Sequence, residues 1–155
     1  MQNTELIRRA LAPERVLMLD CRTKKQALQA LLACLATAPE VTDPQELAKG
    51  IWHREELMST GIGLGVAVPH VRLASVRDIV MAVGVSREDI LDYESLDGRP
   101  VRIIFMVAAP AGQHGQYIRL LSAITSRLKD EAFRRAVLEA PDAASIFRLL
   151  TQQRD

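Results

Sequence analysis

The densest chemical pattern in the 155-residue chain lies between residues 54 and 70. It combines a guanidinium near the end of a predicted helix, two hydroxyls, a loop punctuated by glycines, and an imidazole directly after a proline. The residues are Arg54, Ser59, Thr60, Gly61, Gly63, Gly65 and His70. Glycines let backbone N–H groups approach an anion closely, and arginine offers a planar charged fork suited to phosphate oxygens. The pattern therefore favours phosphoryl chemistry.

His70 is the group in this run that could react covalently. A free imidazole has a pKa of about 6.5, so much of it is neutral and nucleophilic around neutral pH. A phosphoryl group attached to the ring would be labile and ready for onward transfer, and nearby positive groups would stabilise the transferring oxygens. From local spacing alone, a structural histidine at a strand end is an equally good interpretation.

Other ligand sites fit these residues poorly. The glycines resemble a dinucleotide fingerprint, but the third comes one residue early and leads into a strand, where that motif opens a helix. No Gly-Lys-Ser/Thr follows, as a phosphate-binding P-loop requires. The three histidines, His53, His70 and His114, show no HxxxH or HExxH spacing. We therefore expect neither a metal site nor another cofactor.

Periodicity, caps and prolines predict the elements that position this pattern. Helical spacing predicts helices over 4–11, 23–37, 116–128, 131–139 and 143–152. Asp43, Pro44 and Glu46 form the start of a further helix that we expect to reach residue 57. Apolar, mostly β-branched runs predict strands over 15–19, 66–68, 79–85 and 101–108, the second ending at Pro69. Helices at both ends around a few strands predict one α/β domain over residues 1–155, with a small sheet covered by helices.

Composition narrows the class of protein. With 20 basic against 19 acidic residues and 4% aromatic residues, the chain has no global positive field and few stacking platforms, so nucleic acid is not an expected partner. No apolar run reaches the roughly 18 residues of a membrane span, and residues 1–20 contain no signal-peptide core. Cys21 and Cys34 form no CxxC pair, which favours packing thiols over a disulfide. We expect a cytoplasmic protein with no membrane insertion.

Several segments together resemble a known family. They are Arg54-Glu55, Ser59-Thr60-Gly61-Ile62-Gly63, and Gly65-Val66-Ala67-Val68-Pro69-His70, with support from the Asp97–Val101 turn and the Phe105–Pro110 strand end. This combination resembles the fructose/mannitol-type enzyme IIA domain of the bacterial phosphotransferase system, and most of all its nitrogen-regulatory members. The likeness covers nearly the whole chain. It implies a small mixed sheet with helices on both faces.

The resemblance implies a role for each matching residue. In such domains the histidine of the Pro-His pair accepts a phosphoryl group from a small HPr-like phosphohistidine carrier protein and passes it on, in sugar transporters to a IIB domain. Carried over, His70 is the acceptor and Arg54 a phosphate-stabilising partner. Further candidates for contact with the phosphoryl group are Ser59, Thr60, Gly61 and Gly63. For the hydroxyls, the alternative is that they end the preceding helix, and for the glycines that they form turns.

The chain departs from the family at one position. Members usually place a second histidine at the start of the helix that follows the Pro110 loop, and the aligned residue here is Tyr117. A tyrosine hydroxyl can donate a hydrogen bond to phosphate but adds no positive charge at neutral pH. His114, expected in the loop three residues earlier, is the other candidate for this role. Either residue replaces the imidazole in part, or transfer is slowed, or the domain works mainly by binding partners.

The sequence thus predicts a phosphohistidine carrier of the phosphotransferase system. A regulatory, nitrogen-type branch is favoured, because no permease or IIB segment accompanies the domain. Two alternatives stay open: a sugar-transport enzyme IIA that passes phosphate to a IIB domain, and a transfer-impaired module that binds regulatory target proteins.

Overall fold

The computed structural model describes residues 2–112 and 114–152, which form six helices and six strands. The helices are α1 Gln2–Ala10, α2 Lys24–Leu35, α3 Pro44–Leu57, α4 His114–Leu128, α5 Glu131–Glu139 and α6 Ala143–Thr151. The strands are β1 Val16–Leu19, β2 Gly61–Gly63, β3 Val66–Ala67, β4 His70–Leu73, β5 Val80–Ile90 and β6 Val101–Pro110. No helix in this described part is long and apolar enough to cross a membrane.

Helix starts follow the caps that the sequence predicts. The Thr23 side chain accepts a hydrogen bond from the Gln26 amide at 3.1 Å, and the Asp43 carboxylate accepts one from the Glu46 amide at 3.1 Å. Both caps satisfy an amide that has no partner inside the helix. The cap at Asp43 matters most for function, because it fixes the start of α3, whose last turn carries Arg54.

The sheet is mixed, with the order β1-β5-β6-β3-β2 and with β4 also paired to β6. Strand β5 lies parallel to β1 and antiparallel to β6. Strands β3 and β4 both lie parallel to β6 at successive positions, so they form one strand interrupted at Val68 and Pro69. The interruption is local, because the Val107 amide still donates to the Pro69 carbonyl at 2.9 Å.

Alternate residues of the central strand β6 bury opposite faces of the sheet. The side chains on one face pack with α1, α4, α5 and α6, and we call them the first set. Those on the other face pack with α2 and α3 and form the second set. The first set is Ile103, Phe105, Val107 and Ala109, and the second is Ile104, Met106 and Ala108. This two-residue period is what a strand covered on both faces requires. The expected small mixed sheet with helices on both faces is confirmed.

Three local predictions were wrong. Within the glycine run that was expected to be a loop, Gly61–Gly63 form β2, and a turn in which Leu64 and Gly65 have φ of 60° and 77° joins it to β3 Val66–Ala67, where a strand was expected. His70, expected just past a strand, is the first residue of β4, because the chain resumes pairing with β6 after Pro69. His114, expected in a loop, is the first residue of α4.

Candidate functional site

His70 lies where the end of α3, the start of β4 and the first turns of α4 meet. A cavity of about 250 Å³ on one side of the ring is mostly apolar and includes Val68 and Leu121. A more open cavity of about 520 Å³ on the other side includes Arg72 and Tyr117. Arg54 and His70 line both cavities, so the imidazole stands between them. We call this region the His70 cleft.

The His70 ring is held in one tautomer by its own backbone. Its Nδ1 lies 2.6 Å from the carbonyl oxygen of Val68. Because a carbonyl oxygen can only accept, Nδ1 carries the proton and donates it. The lone pair of the neutral ring is therefore on Nε2. The pattern Val68-Pro69-His70 thus leaves Nε2 as the nucleophilic nitrogen.

The surroundings of His70 keep the ring neutral at pH 7. Burial of the half-buried ring lowers its pKa below the ordinary value of 6.5, and the positive charge of Arg54 lowers it further. The hydrogen bond to Val68 and the carboxylate of Glu55 raise the pKa, but the net direction is down. A neutral imidazole with a free Nε2 is the form that can attack phosphorus.

Two arginines line the open cavity together with His70. Arg54 is in the last turn of α3, where a cation also interacts favourably with the helix dipole. Arg72 follows His70 by two residues on β4, so both side chains leave the same face of the strand. We had not predicted Arg72 as a site residue. The alternation in His70-Val71-Arg72 is the signal that could have identified it, but the segment after Pro69 had not been predicted to be a strand.

Tyr117 occupies the position that the resemblance assigns to a second histidine. Its ring centroid lies 5.6 Å from that of His70, at an interplanar angle of 52°. Burial raises the pKa of the Tyr117 phenol, and the charges of Arg72 and Arg54 only partly offset that effect. The phenol is therefore uncharged at neutral pH and adds no cation to the cleft.

His114 contacts Arg72 rather than His70. Its Nδ1 lies 2.8 Å from Nη1 of Arg72, and its ring centroid is 6.5 Å from that of Tyr117. The structure therefore brings His114 to the edge of the cleft. No contact places its imidazole directly on His70.

The two predicted hydroxyl ligands are engaged inside the protein. The Ser59 hydroxyl donates to the carbonyl of Glu94 at 2.6 Å, and the buried Thr60 hydroxyl bonds to the carboxylate of Glu55 and lies 2.7 Å from the Tyr93 hydroxyl. Both residues border the smaller cavity. These contacts fit the interpretation in which the hydroxyls fix the chain after α3, and contact with a phosphoryl group stays a prediction.

The glycines form the β2–β3 hairpin. A Cβ atom at Gly61 would lie 2.2 Å from the carbonyl oxygen of Glu94, so close backbone approach requires glycine there. The amide of Leu64 donates to Asp97 at 2.8 Å, and the amide of Gly61 faces the Ser59 hydroxyl at 3.4 Å. Gly61 borders the cleft, whereas Gly63 lines neither cavity. The turn-forming interpretation accounts for these contacts, and a phosphate role for Gly61 and Gly63 stays a prediction.

A buried polar group that the sequence did not reveal is centred on Glu55, the residue after Arg54 in α3. The carboxylate of Glu55 contacts Nζ of Lys24 at 2.9 Å and accepts hydrogen bonds from the amide of Thr60 at 3.3 Å and from the hydroxyl of Tyr93 at 3.4 Å. Lys24 also lies 4.7 Å above the Tyr93 ring. We call Lys24, Glu55, Thr60 and Tyr93 the Glu55 cluster. It joins α2, α3 and the start of β2, and so fixes the turn of helix that carries Arg54.

Across residues 2–112 and 114–152, no three His, Cys, Asp or Glu side chains converge as a metal ion requires. Cys21 and Cys34 are free, partly buried thiols. The cleft therefore offers one nucleophilic imidazole, two guanidinium groups and a neutral phenol, a set suited to receiving a phosphoryl group.

Comparisons with known proteins agree with a site that receives a phosphoryl group. Residues 10–153 match the family described as "Phosphoenolpyruvate-dependent sugar phosphotransferase system, EIIA 2". The nitrogen regulatory protein of Bradyrhizobium diazoefficiens is 34% identical over 143 residues, covering 90% of this chain and 91% of that protein. The fructose-specific EIIABC component of Bacillus subtilis is 35% identical over 136 residues, covering 88% of this chain but only 21% of that protein.

A solved structure also matches closely. The crystal structure of the nitrogen regulatory protein IIA-Ntr from Neisseria meningitidis superposes with a TM-score of 0.86 at 25% identity, covering 94% of this chain and 99% of that one. The family match spans nearly the whole chain and includes His70, Arg54 and Tyr117. The chain therefore belongs to the EIIA 2 family of the phosphoenolpyruvate-dependent sugar phosphotransferase system.

Proposed function

We propose that this protein is a phosphohistidine carrier that accepts a phosphoryl group on Nε2 of His70 from an HPr-like carrier protein. The observation that carries the proposal is the 2.6 Å contact between Nδ1 of His70 and the Val68 carbonyl, which leaves Nε2 unprotonated in the cleft. Membership of the EIIA 2 family supports the same assignment.

The transfer step balances without a cofactor. The N–P bond of the ring-protonated donor phosphohistidine breaks, and its electron pair stays on the donor nitrogen, which becomes part of a neutral imidazole. The lone pair on Nε2 of His70 forms the new P–N bond. The His70 ring becomes a phosphorylated imidazolium whose proton stays on Nδ1, hydrogen-bonded to the Val68 carbonyl. Because the transferring group carries charge on its three equatorial oxygens, the Arg54 guanidinium lowers the barrier by lying beside it.

A regulatory branch is the finer proposal. The Bradyrhizobium nitrogen regulatory protein is matched over 91% of its length, and the Neisseria IIA-Ntr structure over 99% of its chain. The fructose-specific relative supports the alternative, in which the acceptor is a IIB domain. Incubating the phosphorylated protein with a purified fructose-type IIB domain tests this alternative. Transfer at a rate comparable to that of a dedicated sugar IIA would overturn the regulatory assignment.

The acceptor role is tested by incubation with a phosphorylated HPr-like carrier. We expect an acid-labile, alkali-stable phosphoryl group on the wild type and none on His70→Ala. The comparison variant is His53→Ala, which removes the α3 histidine that also lines the open cavity. A label that persists in His53→Ala and is lost in His70→Ala assigns the acceptor to His70. A wild type that stays unlabelled, or a His70→Ala variant that is labelled equally, would show the proposal to be wrong.

A second candidate, a transfer-impaired module that binds regulatory targets, is motivated by the neutral phenol of Tyr117 next to His70. The variant Tyr117→His separates the two. A large gain in phosphoryl transfer would favour the impaired module. A rate within about threefold of wild type, less than 1 kcal/mol in the barrier, would favour a working native site.

A further inference from the structure

Arg72 lies on the Tyr117 ring, at the position where the cleft lacks a second imidazole. Its guanidinium carbon is 5.5 Å from the Tyr117 ring centroid, and that ring is 5.6 Å from His70. Arg72 also lines the same cavity as Arg54 and His70. A cation over an aromatic face is attracted by the ring, so the uncharged phenol serves as a support for a charged group.

His114 fixes the guanidinium from the other side. Arginine is protonated at every physiological pH and can only donate, so Nδ1 of His114 must be the acceptor in the 2.8 Å contact with Nη1 of Arg72. His114 is then the neutral tautomer with its proton on Nε2. An exposed arginine on a strand would otherwise sample many rotamers, and this contact together with the ring reduces that freedom.

Arg72 therefore carries the positive charge, and two residues of a second element hold its guanidinium in place. Arg72 comes from β4, whereas Tyr117 and His114 come from the first turns of α4. Arg54, from α3, lines the same open cavity. Both guanidinium groups line the cavity that His70 borders, and a guanidinium can donate to the oxygens of a phosphoryl group bound there.

We propose that Arg72, supported by the Tyr117 ring and oriented by His114, is the second cation that binds the phosphoryl group on His70. Arg72 is the contacting residue, and His114 is a positioning residue that acts through it. This assignment rests on the proposed phosphocarrier function. It explains how a chain with tyrosine at position 117 keeps a site with two cationic groups.

The experiment measures the rate at which full-length protein gains one phosphoryl group, by intact mass, from two donors. One donor is a phosphorylated HPr-like carrier protein, and the other is phosphoramidate, a small molecule that needs no docking surface. We expect Arg72→Gln to slow both reactions by about tenfold to a hundredfold, with partial recovery in Arg72→Lys. Arg77→Gln removes the same charge from an exposed residue that does not line the cleft and should stay within about twofold of wild type.

His114 is tested by rescue and by coupling. His114→Ala should slow transfer by about threefold to tenfold, whereas His114→Asn, whose side-chain oxygen can replace Nδ1 as acceptor, should restore most of the rate. Because His114 acts through Arg72, the double variant that combines Arg72→Gln with His114→Ala should transfer no more slowly than Arg72→Gln alone. Thermal melting of each variant confirms that it is folded.

The outcomes separate this inference from the function on which it rests. If His70 is labelled in the wild type while Arg72→Gln reacts within twofold of it, the phosphocarrier role stands and the role of Arg72 is wrong. If Arg72→Gln slows only the carrier-dependent reaction, Arg72 is a docking residue and the inference is again overturned. If His70 accepts no phosphoryl group from either donor, the proposed function fails and the inference fails with it.

Discussion

The Glu55 cluster and the His70 cleft are neighbours at the end of α3 that meet at Thr60, which belongs to the cluster and lines the smaller cavity. They differ in how completely their polar atoms are paired. In the cluster, the buried carboxylate of Glu55 meets an ammonium, an amide and two hydroxyls. In the cleft, Nδ1 of His70 is paired with Val68, Nε2 has no hydrogen-bond partner among the described residues, and His70 lines both cavities. Arg54 borders both.

In this fold, the degree of hydrogen-bond pairing distinguishes a structural polar group from a functional one. Buried polar atoms that have all their partners have no capacity left to bind a ligand, so they contribute to the stability of a defined geometry. Atoms that keep a free lone pair or free donors beside a cavity are available for chemistry. Substitutions in the cluster should therefore change stability, and those in the cleft should change transfer.

The largest effect is expected from removing the central carboxylate of the cluster. Glu55→Ala leaves the ammonium of Lys24 and the donors of Thr60 and Tyr93 without their acceptor, so the free energy of unfolding should fall by about 3 kcal/mol. Urea denaturation measures it. Glu56→Ala, an exposed neighbour on the same helix, should change the value by less than about 0.5 kcal/mol. Equal losses in the two variants would contradict the structural role of Glu55.

The next effect is expected in the cleft. Arg54→Gln removes a guanidinium that lines both cavities, so phosphoryl transfer to His70 should slow about a hundredfold, or about 2.7 kcal/mol in the barrier. Because Arg54 is half-exposed, unfolding should change by less than about 0.5 kcal/mol. Lys49→Gln, an exposed cation on the same helix, is the control. A matching loss of stability and transfer in Arg54→Gln would erase the distinction between the two regions.

The same substitution at the two tyrosines of the chain should have smaller and unequal effects on the free energy of unfolding. The hydroxyl of Tyr93 is hydrogen-bonded in the cluster, whereas among the described residues the hydroxyl of Tyr117 has no such partner. Tyr93→Phe should therefore lower the free energy of unfolding by about 1 kcal/mol, and Tyr117→Phe should leave it nearly unchanged. Urea denaturation of both variants tests this. The reverse order would mean that the phenol in the cleft is the structural one.

The smallest effect concerns pH. Because burial and Arg54 lower the pKa of His70 in the folded protein, its NMR titration midpoint should lie below 6.5. The folded chain then binds this proton less readily than the unfolded chain. The stability contributed by His70 is complete above pH 6.5 and is lost as the pH falls through the folded pKa. Phosphoryl acceptance should fall in the same lower window, and a midpoint above 6.5 would contradict the burial argument.

Much of the fold was readable from the sequence because its signals are local. The cap at Asp43 with Pro44 and Glu46 predicted a helix ending at Leu57, and the structure has α3 over Pro44–Leu57. The turn that the sequence places at the start of Asp97–Val101 is confirmed by the left-handed Gly98 and by the Arg99 amide, which donates to Asp97 at 3.0 Å. Such features depend on a few neighbouring residues and on backbone chemistry that does not change with tertiary context.

The features of the fold and the site that the sequence did not predict depend on pairing between residues far apart in the chain. Strand β5 runs to Ile90 through exposed charged residues, beyond the apolar run that marked its predicted end, because a register shift lets it continue along β6. The hairpin turn places Leu64 at positive φ, where glycine or asparagine is the usual signal. Arg72 joins the cleft only because β4 resumes pairing after Pro69. No local pattern encodes the contact between Glu55 and Lys24, which come from two different helices.

The interrupted strand that carries His70 also has a consequence for how the protein is made. Among the described strands, β4 pairs only with β6, which follows it in the chain. During synthesis from the amino terminus, the segment with His70 leaves the ribosome before the strand that holds it, and Tyr117 and His114 emerge later still. The nascent chain therefore carries an unpaired strand edge until β6 arrives. A protein that can receive phosphate at this site has already completed its sheet.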